Sequence, residues 1–298
     1  MNLNKYSDII TLTVAKLSEY ESARALCLHH HEGEPFPSEK VLQEIIMLCR
    51  SLLFPGYFGY ANINSRNIAS YIGVNTEKLY ELLSEQILAG LCFTCDRSRD
   101  IDLDNLRGEA VKRAAEFIER LPVLRQILNT DVIAAYNGDP AAESYGEVIF
   151  CYPAIRAVCN YRIAHELLKL EVPLIPRMIS EMAHSETGID IHPAATVGSY
   201  FSIDHGTGVV IGATSIIGNN VKIYQGVTLG AKSFPSDENG NPIKGILRHP
   251  IIEDNVIIYS NASILGRITI GKGAVIGGNV WVTEDVPPGA RIMQPDAR

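Results

Sequence analysis

Side chains suited to acid–base chemistry lie in the last third of the chain, beside glycines and aliphatic residues. Asp204 and His205 stand in IDHGTGVVIG, Asp190 precedes IHP, and His249 stands in LRHP. An imidazole that titrates near neutral pH can take a proton from an attacking group while a carboxylate fixes its tautomer. One hypothesis is therefore acid–base chemistry at a histidine of this region, with Asp190 and Asp204 both available to orient its ring.

Zinc binding is an alternative for the histidines of this region, because imidazole is a favoured zinc ligand. His192, His205 and His249 would be the ligands, but none forms an H-x3-H or H-x4-H pair, and no cysteine follows Cys159. We therefore expect no metal, and metal analysis would test that expectation.

The element that positions these side chains is indicated by an aliphatic residue at every sixth position after Gly188. Such hexapeptide repeats are typical of a parallel β-helix, in which three short strands complete one coil and the repeated residue points inward. The repeat breaks twice. Two extra residues lie between Ile203 and Ile211, and the segment from Gly230 to Ile251 has a length and a content of Pro, Gly and Asn that predict a projecting loop. The repeated positions are Ile191, Val197, Ile203, Ile211, Ile217, Ile223, Leu229, Ile252, Ile258, Ile264, Ile270, Ile276 and Val282.

The first part of the chain has a different period. In SEKVLQEIIMLCRSLLF and TEKLYELLSEQILAG, apolar residues recur at three- and four-residue intervals, which predicts helices with Ser38 and Thr76 as N-caps and Gly90 as a C-cap. We therefore predict an α+β protein, with an all-helical N-terminal domain over residues 1–187 and a β-helix domain over residues 188–298.

The composition of the chain limits the kinds of molecule that it is expected to bind. The net charge of −8 argues against nucleic acid or an anionic membrane as a partner. No run approaches the roughly 18 apolar residues of a membrane helix, and the start lacks a basic region followed by an apolar stretch. We expect a cytoplasmic protein.

Several motifs in order resemble the serine acetyltransferase family, whose members move an acetyl group from acetyl-CoA to serine. These are DIHPAATVG, DHGTGVVIG, YQGVTLGAK and RHP, preceded by the helical segment GDPAAESYGEVIFCYPAIRAVCNYRIAHELL. The resemblance is dense from Asp139 to about Pro288. It implies a left-handed β-helix and direct acetyl transfer, with acetyl-CoA as a co-substrate and no tightly bound cofactor.

The resemblance also implies catalytic roles. His205 would be the general base for the serine hydroxyl, Asp190 its orienting partner, and His249 a group that binds serine or stabilises the oxyanion. Asp190 and His205 are only 15 residues apart, whereas a regular coil spans about 18 residues. On a regular ladder they would be offset by about 10 Å, so a turn or a neighbouring subunit must close the gap.

Substrate binding follows from the same resemblance. Asp139 and Asp204 would hold the ammonium of serine, while Arg248 would grip its carboxylate with help from His249. These types suit a zwitterion, because a guanidinium matches a carboxylate with two parallel hydrogen bonds.

The pantetheine arm of acetyl-CoA would run between two subunits beside Gly230 and Ala231, with Lys232 and Lys272 as candidate phosphate contacts. A homotrimer or a dimer of trimers is expected, with L-serine as substrate and L-cysteine as feedback inhibitor. The sequence lacks the family's flexible tail ending in Ile, so binding to O-acetylserine sulfhydrylase stays open.

Two other functions remain open. One is a hexapeptide acyltransferase for a sugar or another amino acid, which a pocket lacking the Asp139 and Arg248 pair would favour. A non-catalytic assembly module would use the β-helix only to form a trimer. Thiol release from acetyl-CoA with different acceptors separates these alternatives.

Overall fold

The computed structural model describes residues 3–19, 34–59, 62–95 and 102–294. Its contacts divide the chain into two compact units between Glu34 and Pro35. The first unit contains helix α1, Leu3–Ser18. The second contains six further helices in its described residues, followed by the β-strands. These helices are α2 (Glu39–Leu53), α3 (Ile68–Thr94), α4 (Leu103–Gly138), α5 (Tyr145–Cys151), α6 (Pro153–Lys169) and α7 (Ile175–Thr187).

The predicted helix ends are only partly correct. Ser38 is the N-cap of α2, and its hydroxyl accepts a hydrogen bond from the backbone N–H of Val41. Thr76 and Gly90 are wrong as caps because both lie inside α3. Glycine is needed at position 90 for close packing, since a Cβ there would lie 2.7 Å from the carbonyl oxygen of Pro173.

The strands form the predicted parallel β-helix. Three parallel sheets make its faces, which we call face one (β1-β4-β7-β10-β13), face two (β2-β5-β8-β11) and face three (β3-β6-β9-β12-β14). All thirteen repeated aliphatic positions are at most 7% exposed, so they form its core. The strands are β1 (Asp190–Ile191), β2 (Thr196–Val197), β3 (Ser202–Asp204), β4 (Val210–Ile211), β5 (Ile216–Ile217), β6 (Lys222–Tyr224), β7 (Thr228–Gly230), β8 (Ile251–Ile252), β9 (Ile257–Ile258), β10 (Ser263–Leu265), β11 (Thr269–Ile270), β12 (Val275–Ile276), β13 (Trp281–Val282) and β14 (Arg291–Ile292).

A buried ion pair joins the helices to the first coil. The Arg162 guanidinium donates hydrogen bonds to both oxygens of Asp131 at 3.1 Å, and to the carbonyl oxygens of Val197 and Gly198. The backbone N–H of Phe201 donates to the same carboxylate at 3.0 Å. Burial raises the pKa of Asp131 to about 6 despite the opposing Arg162 charge. The pair matters because it seats α4, which ends beside the candidate site, against the β-helix.

The predicted domain boundary at 187/188 coincides with the end of α7. Helices and β-helix share one cluster of buried residues, so division into two domains at that point stays a prediction. Within the described residues, no helix has the length and apolar character needed to cross a membrane.

Candidate active site

His205 lies at the turn from β3 into β4. We call residues 204–208, together with the side chains of Asp139 and Lys222, the His205 corner. The backbone of His205 is left-handed, with φ 56°, and its side chain is 77% exposed. Its Nε2 is 3.9 Å from Oδ1 of Asp204. Gly206 follows with φ 99°, and a Cβ there would lie 2.5 Å from Ile189 Cδ1, so only glycine fits this turn.

Asp139 reaches the same corner from the end of α4, where it is the C-cap residue. The hydroxyl of Tyr152 donates a hydrogen bond to its Oδ2 at 2.5 Å, and the backbone N–H of Ala141 donates to its Oδ1 at 2.8 Å. The Tyr152 bond, followed by the Ala141 bond, lowers the pKa of Asp139 below its ordinary value. The same bond to Asp139 raises the pKa of Tyr152. Asp139 is therefore a fixed carboxylate suited to an ammonium group.

Lys222, on β6, is a component of this corner that the sequence analysis missed. Its Nζ lies 3.0 Å from Oδ2 of Asp204 and donates to the carbonyl oxygen of Gly138 at 2.6 Å. It also lies 4.6 Å from the ring centroid of Tyr224. Burial favours the neutral amine, but hydrogen bonds to Tyr224 and Asp204 outweigh it and raise the pKa of Lys222. The sequence feature that could have identified Lys222 is the register of the coils, which pairs Lys222 with Ser202 and so places it beside β3.

His249 lies two residues before β8 and packs against a second turn, from β4 into β5. We call residues 212–215 together with Arg248 and His249 the His249 corner. Its Nδ1 accepts a hydrogen bond from the backbone N–H of Thr214 at 3.1 Å and contacts the Thr214 hydroxyl at 2.8 Å. Burial, followed by the charge of Arg248, lowers the pKa of His249 to about 4. The ring is therefore neutral at pH 7 with its proton on Nε2, where it can donate to a carbonyl or oxyanion.

The projecting loop supports Arg248 at the His249 corner. The guanidinium carbon lies 5.6 Å from the ring centroid of Phe234, and the backbone N–H donates to the hydroxyl of Thr214 at 3.0 Å. Gly212 makes room for the neighbouring imidazole, because a Cβ there would lie 2.1 Å from Cδ2 of His249.

Asp190 starts β1 on face one, and its backbone N–H donates to the carbonyl oxygen of Val209 at 2.9 Å. Because Gly208 also donates to the carbonyl oxygen of Gly188 at 2.8 Å, the His205 corner abuts the start of β1 within one chain. The ladder pairs Asp190 with Val210, so His205 lies five positions before the partner of Asp190, rather than the three of a regular coil. A side-chain bond between Asp190 and His205 stays a prediction, since the carboxylate found within 4 Å of His205 Nε2 is that of Asp204.

A different set of side chains has a spacing that could suit a cation. Ligand atoms of Glu181, His184 and Asp190 lie within 4.8 Å of one another. Among the residues that the structure describes, this is the group of three His, Cys, Asp or Glu side chains close enough to share a metal ion. His192, His205 and His249, the histidines considered as zinc ligands, do not belong to it.

The two corners lie at opposite edges of face one. His205 precedes β4, whereas Gly212, which contacts His249, follows it. Residues 206–211, which include the turn at Gly206 and Gly208 and all of β4, lie between positions 205 and 212, so this face separates the two corners. One chain therefore brings Asp139 and Asp204 to His205, but it does not bring Arg248 to them.

The expected acetyl-CoA contacts are also distributed. Gly230 ends β7 on face one, followed by the half-buried Ala231 and the exposed Lys232. Lys272 is exposed at the turn between faces two and three, and its backbone N–H donates to Oε2 of Glu253 at 2.7 Å. One chain does not bring Lys272 to the Gly230 segment, and both assignments stay predictions.

Comparison with known proteins identifies relatives that share this architecture. A family model described as bacterial transferase hexapeptide (six repeats) matches residues 249–284. A serine acetyltransferase encoded on a plasmid of Synechococcus elongatus is 48% identical over 277 residues, covering 91% of this chain and 87% of that protein. A serine acetyltransferase of Bacillus licheniformis is 48% identical over 162 residues, covering 54% of this chain and 71% of that protein.

Solved structures give the same result. Serine acetyltransferase 1 of Entamoeba histolytica, in complex with L-cysteine, matches with a TM-score of 0.73 and 38% identity over 88% of this chain and 90% of that chain. The Neisseria gonorrhoeae serine acetyltransferase, in complex with serine, matches with a TM-score of 0.55 and 26% identity over 85% of this chain and 96% of that chain. The predicted fold, helices followed by a left-handed parallel β-helix, is confirmed.

Proposed function

The chain belongs to the serine acetyltransferase family of acyltransferases, and from that premise we propose that it transfers acetyl from acetyl-CoA to the hydroxyl of L-serine, with His205 as general base. The products are O-acetylserine and CoA. The observation that carries this proposal is the His205 corner, where two carboxylates stand beside an accessible imidazole at the surface of a rigid β-helix.

The reaction is a direct attack. Asp139 and Asp204 bind the ammonium of serine and leave its hydroxyl facing His205. The imidazole takes the hydroxyl proton as the oxygen bonds to the thioester carbonyl carbon, and the resulting imidazolium returns that proton to the CoA sulfur as the carbon–sulfur bond breaks. Asp190 stabilises the imidazolium. Acetyl-CoA enters as a co-substrate along face one, past Gly230 and Ala231.

The carboxylate of serine requires a second wall. Arg248 and His249 belong to the other edge of face one, so the complete site combines the His205 corner of one subunit with the His249 corner of a neighbour in a trimer. Closed cyclic symmetry makes such a pairing repeat identically at every interface. The neutral His249, with its proton on Nε2, then donates a hydrogen bond to the oxyanion.

L-Cysteine is the expected inhibitor of this site. It differs from serine only by a thiol in place of the hydroxyl, so the same carboxylates and guanidinium bind it. The Entamoeba histolytica relative has been solved with L-cysteine and the Neisseria gonorrhoeae relative with serine, which supports both ligands.

An acceptor screen tests the proposal. Thiol release from acetyl-CoA is measured with L-serine, with a panel of sugars and without acceptor, and the acetylated product is identified by mass spectrometry. Serine-dependent release with O-acetylserine as product is expected, together with competition by L-cysteine. Acetylation of a sugar, or thiol release that is independent of serine, would contradict the assignment.

A further inference from the structure

Lys222 stands at the centre of the His205 corner without a role in the reaction proposed above. Its ammonium links the end of α4, through the Gly138 carbonyl at 2.6 Å, to the Asp204 carboxylate at 3.0 Å. We propose that Lys222 is a positioning residue for L-serine, a cation that fixes Asp204 beside Asp139 and leaves the corner with one unit of negative charge for the substrate ammonium. This inference rests on the proposed function.

The charge of the corner supports this role. Asp139 and Asp204 both bear on the predicted ammonium position, and together they carry two negative charges when ionised. Lys222 is a third charged group there, since its charge lowers the pKa of Asp139 after larger contributions from Tyr152 and Ala141. With Lys222 present the net charge is −1, which matches one ammonium ion and reduces repulsion between the two carboxylates.

The burial of the pair makes it more than a surface contact. The Lys222 side chain is 18% exposed and that of Asp204 is 20% exposed. Ion pairs on the open surface are screened and contribute little, whereas a charge-assisted bond in a partly buried place fixes geometry. Ser202 and Asp204 lie on the strand next to Lys222, and Gly138 directly precedes Asp139. Lys222 thus fixes the separation of the two substrate carboxylates.

A competing role for Lys222 makes the opposite prediction. The cavity between Asp139, Tyr152, Asp204 and Lys222 has a volume of about 10 Å³, which is room for about one water molecule. If Lys222 only occupied the ammonium position and had to leave before serine bound, its removal would tighten serine binding. The positioning role requires that its removal weaken serine binding.

The experiment is a double-mutant cycle. L-Serine KM and kcat are measured for wild type, Lys222→Met, Asp204→Asn and the double variant, and L-serine affinity is measured by calorimetry. Lys222→Met is expected to raise the serine KM about tenfold with kcat little changed, in the range of a lost charge-assisted hydrogen bond. The double variant is expected to show no loss of serine affinity beyond that of Asp204→Asn, because Lys222 acts through Asp204. Lys112→Met removes an exposed lysine of α4 and is the matched control.

A second substitution separates charge from hydrogen bonding. Lys222→Gln keeps a donor for the Gly138 carbonyl but removes the positive charge, so it is expected to raise the serine KM like Lys222→Met. Thermal unfolding and trimer size identify any variant that fails to fold. Recovery of wild-type KM in Lys222→Gln would reduce Lys222 to a structural strap and overturn the proposal.

Two further results would overturn it, namely a lower serine KM in Lys222→Met and additive losses in the cycle. The wild-type assay keeps this test separate from the proposed function. A wild-type protein that does not acetylate serine refutes the function, whereas an active wild type with an unaffected Lys222→Met refutes only the role of Lys222.

Discussion

Replacement of His205 by Asn should remove the proposed general base while leaving the surrounding structure unchanged. The residue has φ 56°, and a left-handed backbone costs most side chains about 1–2 kcal/mol, whereas Asn adopts it readily. Since the side chain is 77% exposed, little packing is lost with the imidazole. Asn therefore preserves the corner and removes the base. Loss of a general base is expected to lower kcat by about 10²–10⁴-fold.

The assay is thiol release from acetyl-CoA at saturating L-serine. The variant is expected to keep its trimer size, its thermal unfolding midpoint and its affinity for L-serine by calorimetry, because Asp139 and Asp204 remain in place. His205→Ala provides the comparison, with the same loss of turnover and a lower unfolding midpoint from the backbone. A kcat within tenfold of wild type in a correctly assembled His205→Asn protein would refute the reasoning.

Three further predictions concern the His249 corner. Arg248→Ala is expected to raise the serine KM by about 10–100-fold with a smaller change in the acetyl-CoA KM, in line with a lost ionic hydrogen bond; steady-state kinetics in both substrates check this, and a loss confined to acetyl-CoA would contradict it. Gly212→Ala is expected to displace the imidazole of His249 and lower kcat more than about tenfold, whereas Gly73→Ala, where a Cβ meets nothing within 4 Å, leaves kcat unchanged. Because the pKa of His249 falls from 6.5 to about 4, its neutral form contributes stability above pH 6.5 that is lost as the pH falls through 4. His249→Gln is expected to make the thermal unfolding midpoint less dependent on pH between 6.5 and 4. An unchanged pH dependence would contradict a buried neutral ring.

The β-helix could be predicted because its residues obey a local rule. Each repeated position from Ile191 to Val282 is buried, and side-chain alternation along short stacked strands needs no knowledge of distant contacts. The ends of the helices were harder to predict from the sequence. The cap signals at Thr76 and Gly90 were overridden by packing, since Gly90 lies against the backbone of Pro173 in the interior of α3.

The candidate site was predictable only as a set of residues. Motifs indicated Asp139, Asp204 and His205 together, and the structure brings them to one corner. Lys222 and Tyr152 could not be identified from the sequence because their roles depend on contacts between the first two coils, the end of α4 and the start of α6, which no local spacing reveals. The division of the site between two corners also depends on where each turn lies on the faces of the β-helix.

The central claim, that each site joins the His205 corner of one subunit to the His249 corner of another, is tested most directly by mixing subunits. His205→Asn and Arg248→Ala proteins are each purified, dissociated together and reassembled at equal amounts. In random trimers about one quarter of the interfaces join two intact corners, so at an L-serine concentration far below the KM of Arg248→Ala about a quarter of the wild-type rate should return. Mixed trimers no faster than the mean of the two parent proteins at that concentration would contradict the account.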